Sequence, residues 1–130
     1  MEMIKTQNEL RCPSCEAALL EHPATECLAR WFFELLGWTY HCAHYWRDER
    51  GNAWFPDIVH NMNAALRVLE WIWEHDEAAS LYKNYIEVGT APDGGGATFI
   101  EGSVPLRICR AAIWLASHCI LSRTRAAPPH

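Results

Sequence analysis

The sequence predicts an α+β fold: a three-layer α/β/α sandwich around a mainly antiparallel four-stranded sheet, in the order α-β-β-α-β-β-α. Three observations carry that expectation. Three segments repeat apolar residues with a helical period of 3.6. Between them lie two stretches that alternate, each followed by a turn and a shorter strand. The chain has 130 residues, 50% of them apolar, enough for one core and too few for two. Three amphipathic helices must bury their stripes, so they are expected on both faces of the sheet.

Residues 1–23 form an N-terminal extension in this reading, 24–118 the sandwich domain and 119–130 a flexible basic tail. A helix is predicted from Ser14, broken at His22-Pro23 and resumed over Thr25 to Leu36. There Leu28, Trp31, Phe32, Leu35 and Leu36 share a face, and Gly37 stands where a left-handed C-terminal residue is wanted. Trp38 to Trp46 reads as one strand, with Trp38, Tyr40, Cys42, His44 and Trp46 on one side. The charged turn Asp48 to Asn52 leads to a short strand, Ala53 to Phe55, and Pro56 ends it.

Asp57 or Asn61 caps the middle helix. Met62, Ala65, Leu66, Leu69, Ile72 and Trp73 form its predicted buried stripe, with Arg67, Glu70 and Glu74 in water. Leu81 to Val88 and Ala97 to Glu101 make the second hairpin across a glycine run. No Lys-Ser or Lys-Thr follows those glycines, so they are a turn and not a phosphate loop. The last helix spans Val104 to His118, with Leu106, Cys109, Ala112, Ile113 and Ala116 inward. Of the seven tryptophans, Trp31 and Trp73 fall on core stripes, Trp38 starts a strand, and Trp71 and Trp114 lie on helix flanks. Trp46 and Trp54 flank the first hairpin turn, where a core alone explains them least.

The chain resembles the phage ABA sandwich domain family, small phage and prophage proteins with helix–sheet–helix layers. The likeness rests on Leu36-Gly37-Trp38, on Phe55-Pro56 followed by Asn61-Met62-Asn63-Ala64-Ala65-Leu66, and on Pro105-Leu106-Arg107-Ile108-Cys109-Arg110-Ala111-Ala112. It spans about residues 25 to 118 and implies a fold and a phage or prophage origin, with no established reaction. The N-terminal Cys-Pro-Ser-Cys departs from the family pattern.

The formal charge is −5, divided as −9 over residues 1–101 and +4 over 102–130. An acidic body disfavours nucleic-acid backbones as partners. No apolar run spans a membrane, and MEMIKTQNEL lacks a secretory core, so the cytoplasm of a bacterial host is expected. Six cysteines are then thiols or metal ligands, not disulfides. Cys12 and Cys15 have the spacing that lets two thiolates share a tetrahedral zinc. On a strand Cys42 and His44 face the same way whereas His41 and His44 do not, so Cys12, Cys15, Cys42 and His44 form the coherent set. The plainer alternative is two unpaired thiols and no cofactor; a redox dithiol is a third. Cys27, Cys109 and Cys119 read as small core residues.

No nucleophile or acid–base pattern stands out, so an enzyme is not expected. Arg107, with Arg110 one turn on, lies at a helix N-terminus suited to an anion. Trp46, Trp54 and Tyr82 are candidates to stack on a small ligand, and Asn61 and Asn63 to read its polar edge. The leading expectation is a non-enzymatic phage accessory protein that binds a small anionic ligand, such as a nucleotide signal of host defence. A module binding a host protein is the alternative, and a zinc-stabilised nucleic-acid binder the second. Open sheet edges also admit a homo-oligomer.

Overall fold

The computed structural model describes residues 10–41, 45–76, 79–89 and 96–126, with side chains as far as His118. Its elements run α1 (Glu26–Leu35), β1 (Thr39–His41), β2 (Tyr45–Arg47), β3 (Ala53–Trp54), α2 (Met62–His75), β4 (Ser80–Leu81), β5 (Ile86–Gly89), β6 (Gly96–Phe99) and α3 (Val104–Ala126). Short 3-10 turns occupy Leu19–Glu21 and Pro56–Val59. The α+β class stands, but the single four-stranded sheet does not. Two separate three-stranded antiparallel sheets form instead, β1-β2-β3 and β4-β5-β6.

The difference has a local cause. Trp38 to Trp46 is not one strand, because Tyr40 pairs with Trp46 and His41 with Tyr45, so the chain reverses between them. Likewise Leu81 to Val88 breaks where Tyr82 N–H bonds Tyr85 carbonyl (2.8 Å), leaving Leu81 paired with Ile86. Each alternating segment therefore supplies two strands of two to four residues, too short to reach a common sheet. Residues 90–95, with two of the three consecutive glycines, lie outside the described residues, although Gly89 pairs with Gly96 on either side.

Helix boundaries follow their chemistry closely. Gly37 adopts φ +74°, its N–H bonds Glu34 carbonyl (3.1 Å) and Trp38 N–H bonds Phe33 carbonyl (3.1 Å). That is a Schellman ending, and it needs a residue without a Cβ. Asn61 caps α2 by accepting the Ala64 N–H at 3.2 Å. Asn61→Ala should lower stability by about 1 kcal/mol, read from the urea midpoint at constant slope.

Burial corrects two helix faces. In α2 the inward residues are Ala65, Val68, Leu69, Trp71 and Ile72, whereas Met62, Leu66 and Trp73 are about two-fifths exposed. Trp71 turns inward because Phe32 meets it edge-on at 5.1 Å and 85°. Trp73 stays outside and donates its indole N–H to Ala79 carbonyl (2.9 Å). Every residue of α3 from Pro105 to Ala116 is buried, Trp114 included. It is the central helix, packed by α1, α2, β5 and β6, so a one-sided stripe could not describe it. Its helical backbone also continues past His118 to Ala126.

Within segment 10–22, Cys12, Leu19 and His22 are buried. The expected helix from Ser14 is replaced by a tight reversal, with the bridge Arg11–Ala18 and the 3-10 turn. On the other side, Trp38 just before β1 and Trp46 and Trp54 of the first sheet surround Phe33, with ring centroids 5.4 to 6.4 Å away. Such aromatic pairs add about 0.5–1.5 kcal/mol each beyond the area they bury.

Candidate metal centre

The reversal after Arg11 is built by backbone hydrogen bonds. Cys12 N–H bonds Ala17 carbonyl (3.0 Å) and Glu16 N–H bonds Cys12 carbonyl (2.8 Å), with Glu16 at φ +67°. A non-glycine residue in that region is strained by about 1–2 kcal/mol, and the strain here closes the turn that holds Cys12 near Cys15. Leu19 N–H then bonds Leu10 carbonyl (2.9 Å) and returns the chain to the core. His22 precedes Pro23, which forbids helix and leaves His22 extended at φ −70°, ψ 127°. Its imidazole is consequently sent inward. Five residues on, Cys27 sits in the first turn of α1.

These segments bring four ligand atoms together. One each from Cys12, Cys15, His22 and Cys27 lie within 4.8 Å of one another. The Cys12 and Cys27 Sγ atoms are 3.1 Å apart, and Cys15 Sγ lies 3.3 Å from His22 Nε2. Zinc bonds of about 2.3 Å to sulfur and 2.0–2.1 Å to nitrogen imply tetrahedron edges of roughly 3.5–3.8 Å, within the span of these contacts.

The surroundings also fit a metal. His22 Nδ1 is 2.8 Å from Pro23 carbonyl, an acceptor only, so Nδ1 carries the proton. Nε2 then presents its lone pair to the thiols, and the carbonyl fixes the ring as an outer partner of a metal-bound histidine does. Ser14 N–H points at Cys12 Sγ (3.4 Å). Burial pushes the Cys12 thiol up, but N–H groups of Cys15 and Ser14 and the Cys27 and His22 side chains outweigh it and bring it down to about 6. Cys27 is pushed up to about 12, by burial first and then by Cys12 and Cys15. Cys15 is exposed and Cys27 half-buried, so an ion reaches the cluster from solvent.

The centre is tied to the central helix. Arg110, 6% exposed, donates from Nη2 to His22 carbonyl (2.6 Å) and from Nη1, more weakly, to Glu101 carbonyl (3.4 Å). Burial pushes its guanidinium down, with Glu101 opposing.

Two of the four residues differ from the sequence expectation. Cys42 and His44 lie outside the described residues, while His22 and Cys27 complete a set with Cys12 and Cys15. The pattern C-x2-C-x6-H-x4-C was available over residues 12–27. Two other roles compete for the same residues, because His22-Pro23 also fits a helix break and Cys27 a helical core position. Cys109 does behave as a core thiol: it is fully buried, pushed up by desolvation, and bonds Ile58 carbonyl (3.4 Å).

The expected ligand-binding residues are dispersed. Arg107 is buried in the first turn of α3. That end offers few donors, because Ser103 Oγ takes the Leu106 N–H (3.3 Å) and Pro105 has none. Arg110 serves the His22 loop. Asn61 is the helix cap, Asn63 is exposed, and Tyr82 stacks on Tyr85 (4.6 Å). Trp46 lines a hollow with Tyr40 and Arg30, whereas Trp54 lines a larger cleft.

Trp54 is held by Asp48, whose Oδ2 accepts the indole N–H (3.0 Å) and whose Oδ1 accepts the Arg50 and Asn52 N–H groups (2.9 Å each). Burial pushes the Asp48 carboxyl up, but these donors and Arg67 outweigh it and hold it below the ordinary 3.8. A depressed carboxyl adds stability above its unfolded value and loses it as pH falls through the folded one. Asp48→Asn should therefore lower the melting temperature at pH 6 and make little difference well below pH 3.8. A constant offset across that range would contradict the assignment.

No family model matches the chain, and neither does a curated protein or a solved structure. Among the described residues no helix is long and apolar enough to cross a membrane.

Proposed function

We propose that this chain is a zinc-dependent binding protein in which Cys12, Cys15, His22 and Cys27 hold one structural Zn2+. The observation that carries this reading is the convergence of three thiols and one correctly oriented imidazole within 4.8 Å. A Cys3His set fills all four positions of a tetrahedral ion and leaves none for substrate water, which is the pattern of structural sites. The ion would clamp the loop at residues 12–22 to the start of α1, while Arg110 joins the same loop to α3. The role is then that of a stable scaffold presenting a binding surface, consistent with the non-enzymatic character expected from the sequence.

The test is metal analysis of protein purified without added chelator, followed by cobalt substitution. One zinc per chain and a tetrahedral, thiolate-rich cobalt spectrum are expected. Cys42→Ser and His44→Ala should retain the metal, and Cys27→Ser should lose it. Zinc lost on simple desalting, or retained in Cys27→Ser and lost in Cys42→Ser, would overturn the assignment.

A further inference from the structure

The sulfurs of Cys12 and Cys27 lie 3.1 Å apart. A disulfide bond is about 2.05 Å long, so the two atoms need to close by roughly 1 Å to be joined. They belong to different elements. Cys12 opens the reversal and is held there by its bonds to Ala17 and Glu16, whereas Cys27 lies in the first turn of α1. Their exposure also differs: Cys12 is 1% exposed and Cys27 half-buried. The third thiol of the cluster is drawn aside, since Cys15 Sγ rests against His22 Nε2 at 3.3 Å. Cys109 is committed elsewhere, to Ile58 carbonyl.

Metal ligation holds sulfur as thiolate, the form that attacks an oxidant. A pair of thiolates already in contact, one of them reachable from solvent, is poised to lose two electrons together.

We propose that hydrogen peroxide joins Cys12 to Cys27 as a disulfide and so releases the zinc, exchanging a metal clamp for a covalent one. The release rests on the Cys3His zinc reading, and the pairing rests on the sulfur contact alone. In the first step the Cys27 sulfur attacks a peroxide oxygen, the O–O bond breaks and hydroxide leaves, giving a sulfenic acid on Cys27. The Cys12 sulfur then attacks the Cys27 sulfur, the S–S bond forms, the S–O bond breaks and a second hydroxide leaves. The two sulfurs together give up two electrons, peroxide is reduced, and two solvent protons convert the hydroxides to water. Cys15 and His22 alone cannot fill a tetrahedron and let the ion go. The bridge ties the reversal to α1 where the metal did. His22 stays fixed through its ring to Pro23 carbonyl and through its own carbonyl to Arg110.

The test treats the reduced, zinc-loaded full chain with a few equivalents of hydrogen peroxide. Released zinc is read with a colorimetric chelator, and bridges are mapped by peptide mass after alkylation of free thiols. One zinc released per bridge is expected, with Cys12 joined to Cys27, Cys15 alkylated and free thiols falling from six to four. Dithiothreitol followed by zinc should restore the starting state, and the bridged form should melt above the reduced zinc-free form. In zinc-free reduced protein Cys15→Ser should bridge as the parent does, and Cys27→Ser should not. A bridge to Cys15 or to any cysteine outside the pair would overturn the proposal, as would both thiols staying alkylatable in protein that carries zinc. Reduced protein without zinc would overturn the metal reading and with it the release, whereas the zinc-free variants still decide the pairing.

Discussion

Replacing Cys12 with serine is expected to release zinc and lower the melting temperature, the largest effect of any single polar change considered. Cys12 is 1% exposed, and its sulfur lies 3.1 Å from Cys27. A hydroxyl there is a poor zinc ligand, and the remaining cysteines and His22 cannot close the tetrahedron. An ion present at a thousand times its dissociation constant stabilises the folded chain by about 4 kcal/mol. Loss of zinc removes that amount. In isolated zinc-finger peptides the metal supplies about 10–16 kcal/mol. The effect here is smaller, because the three-helix core has its own apolar contacts. Calorimetry of parent and Cys12→Ser protein, with and without chelator, separates the contributions. Chelator should lower the parent's melting temperature to near that of the variant and leave the variant unmoved. Cys109→Ser serves as the comparison, since that thiol lies away from the cluster and should not affect zinc content.

Phe32→Ala is expected to cost about 3–5 kcal/mol, the usual range for deleting a buried phenyl ring. For a domain of this size that is roughly 10–20 °C in melting temperature. Phe32 is fully buried, and it touches Phe33, Trp38 and Trp71 at centroid distances of 5.1 to 5.8 Å. Those rings come from α1, the residue just before β1 and α2, so the cavity cannot collapse by moving one element. Leu66→Ala provides the contrast. The period of α2 read from sequence alone places Leu66 inside and would make its removal comparably expensive. At 40% exposure it should cost less than about 1 kcal/mol. Thermal melts of the two variants thus test the helix phase as well as the core.

The proposed metal centre illustrates how far sequence reading reaches. Cys12 and Cys15 announce themselves by spacing, because two thiolates three positions apart can meet one ion in a tight turn. His22 and Cys27 do not, because their role depends on how the chain folds back. The bond from Leu19 to Leu10 and the extended backbone before Pro23 set the imidazole against the thiols. Arg110 is a similar case. Its position in the first turns of a helix suggests an anion, yet 88 residues separate it from the His22 carbonyl it holds.

What the sequence by itself determined are the features governed by neighbours along the chain. The three helices, the Gly37 ending, the Asn61 cap and the hairpin around the glycine run follow from local hydrogen bonding and backbone freedom. What only the tertiary structure decided are the choices among surfaces of similar hydrophobicity. Trp71 was taken inward and Trp73 left outside because Phe32 offered its edge to one of them. Two short sheets formed because each alternating segment turned back upon itself before it could reach the other hairpin. Apolar periodicity is an average over a face, whereas packing is settled by particular atoms meeting across distant parts of the chain.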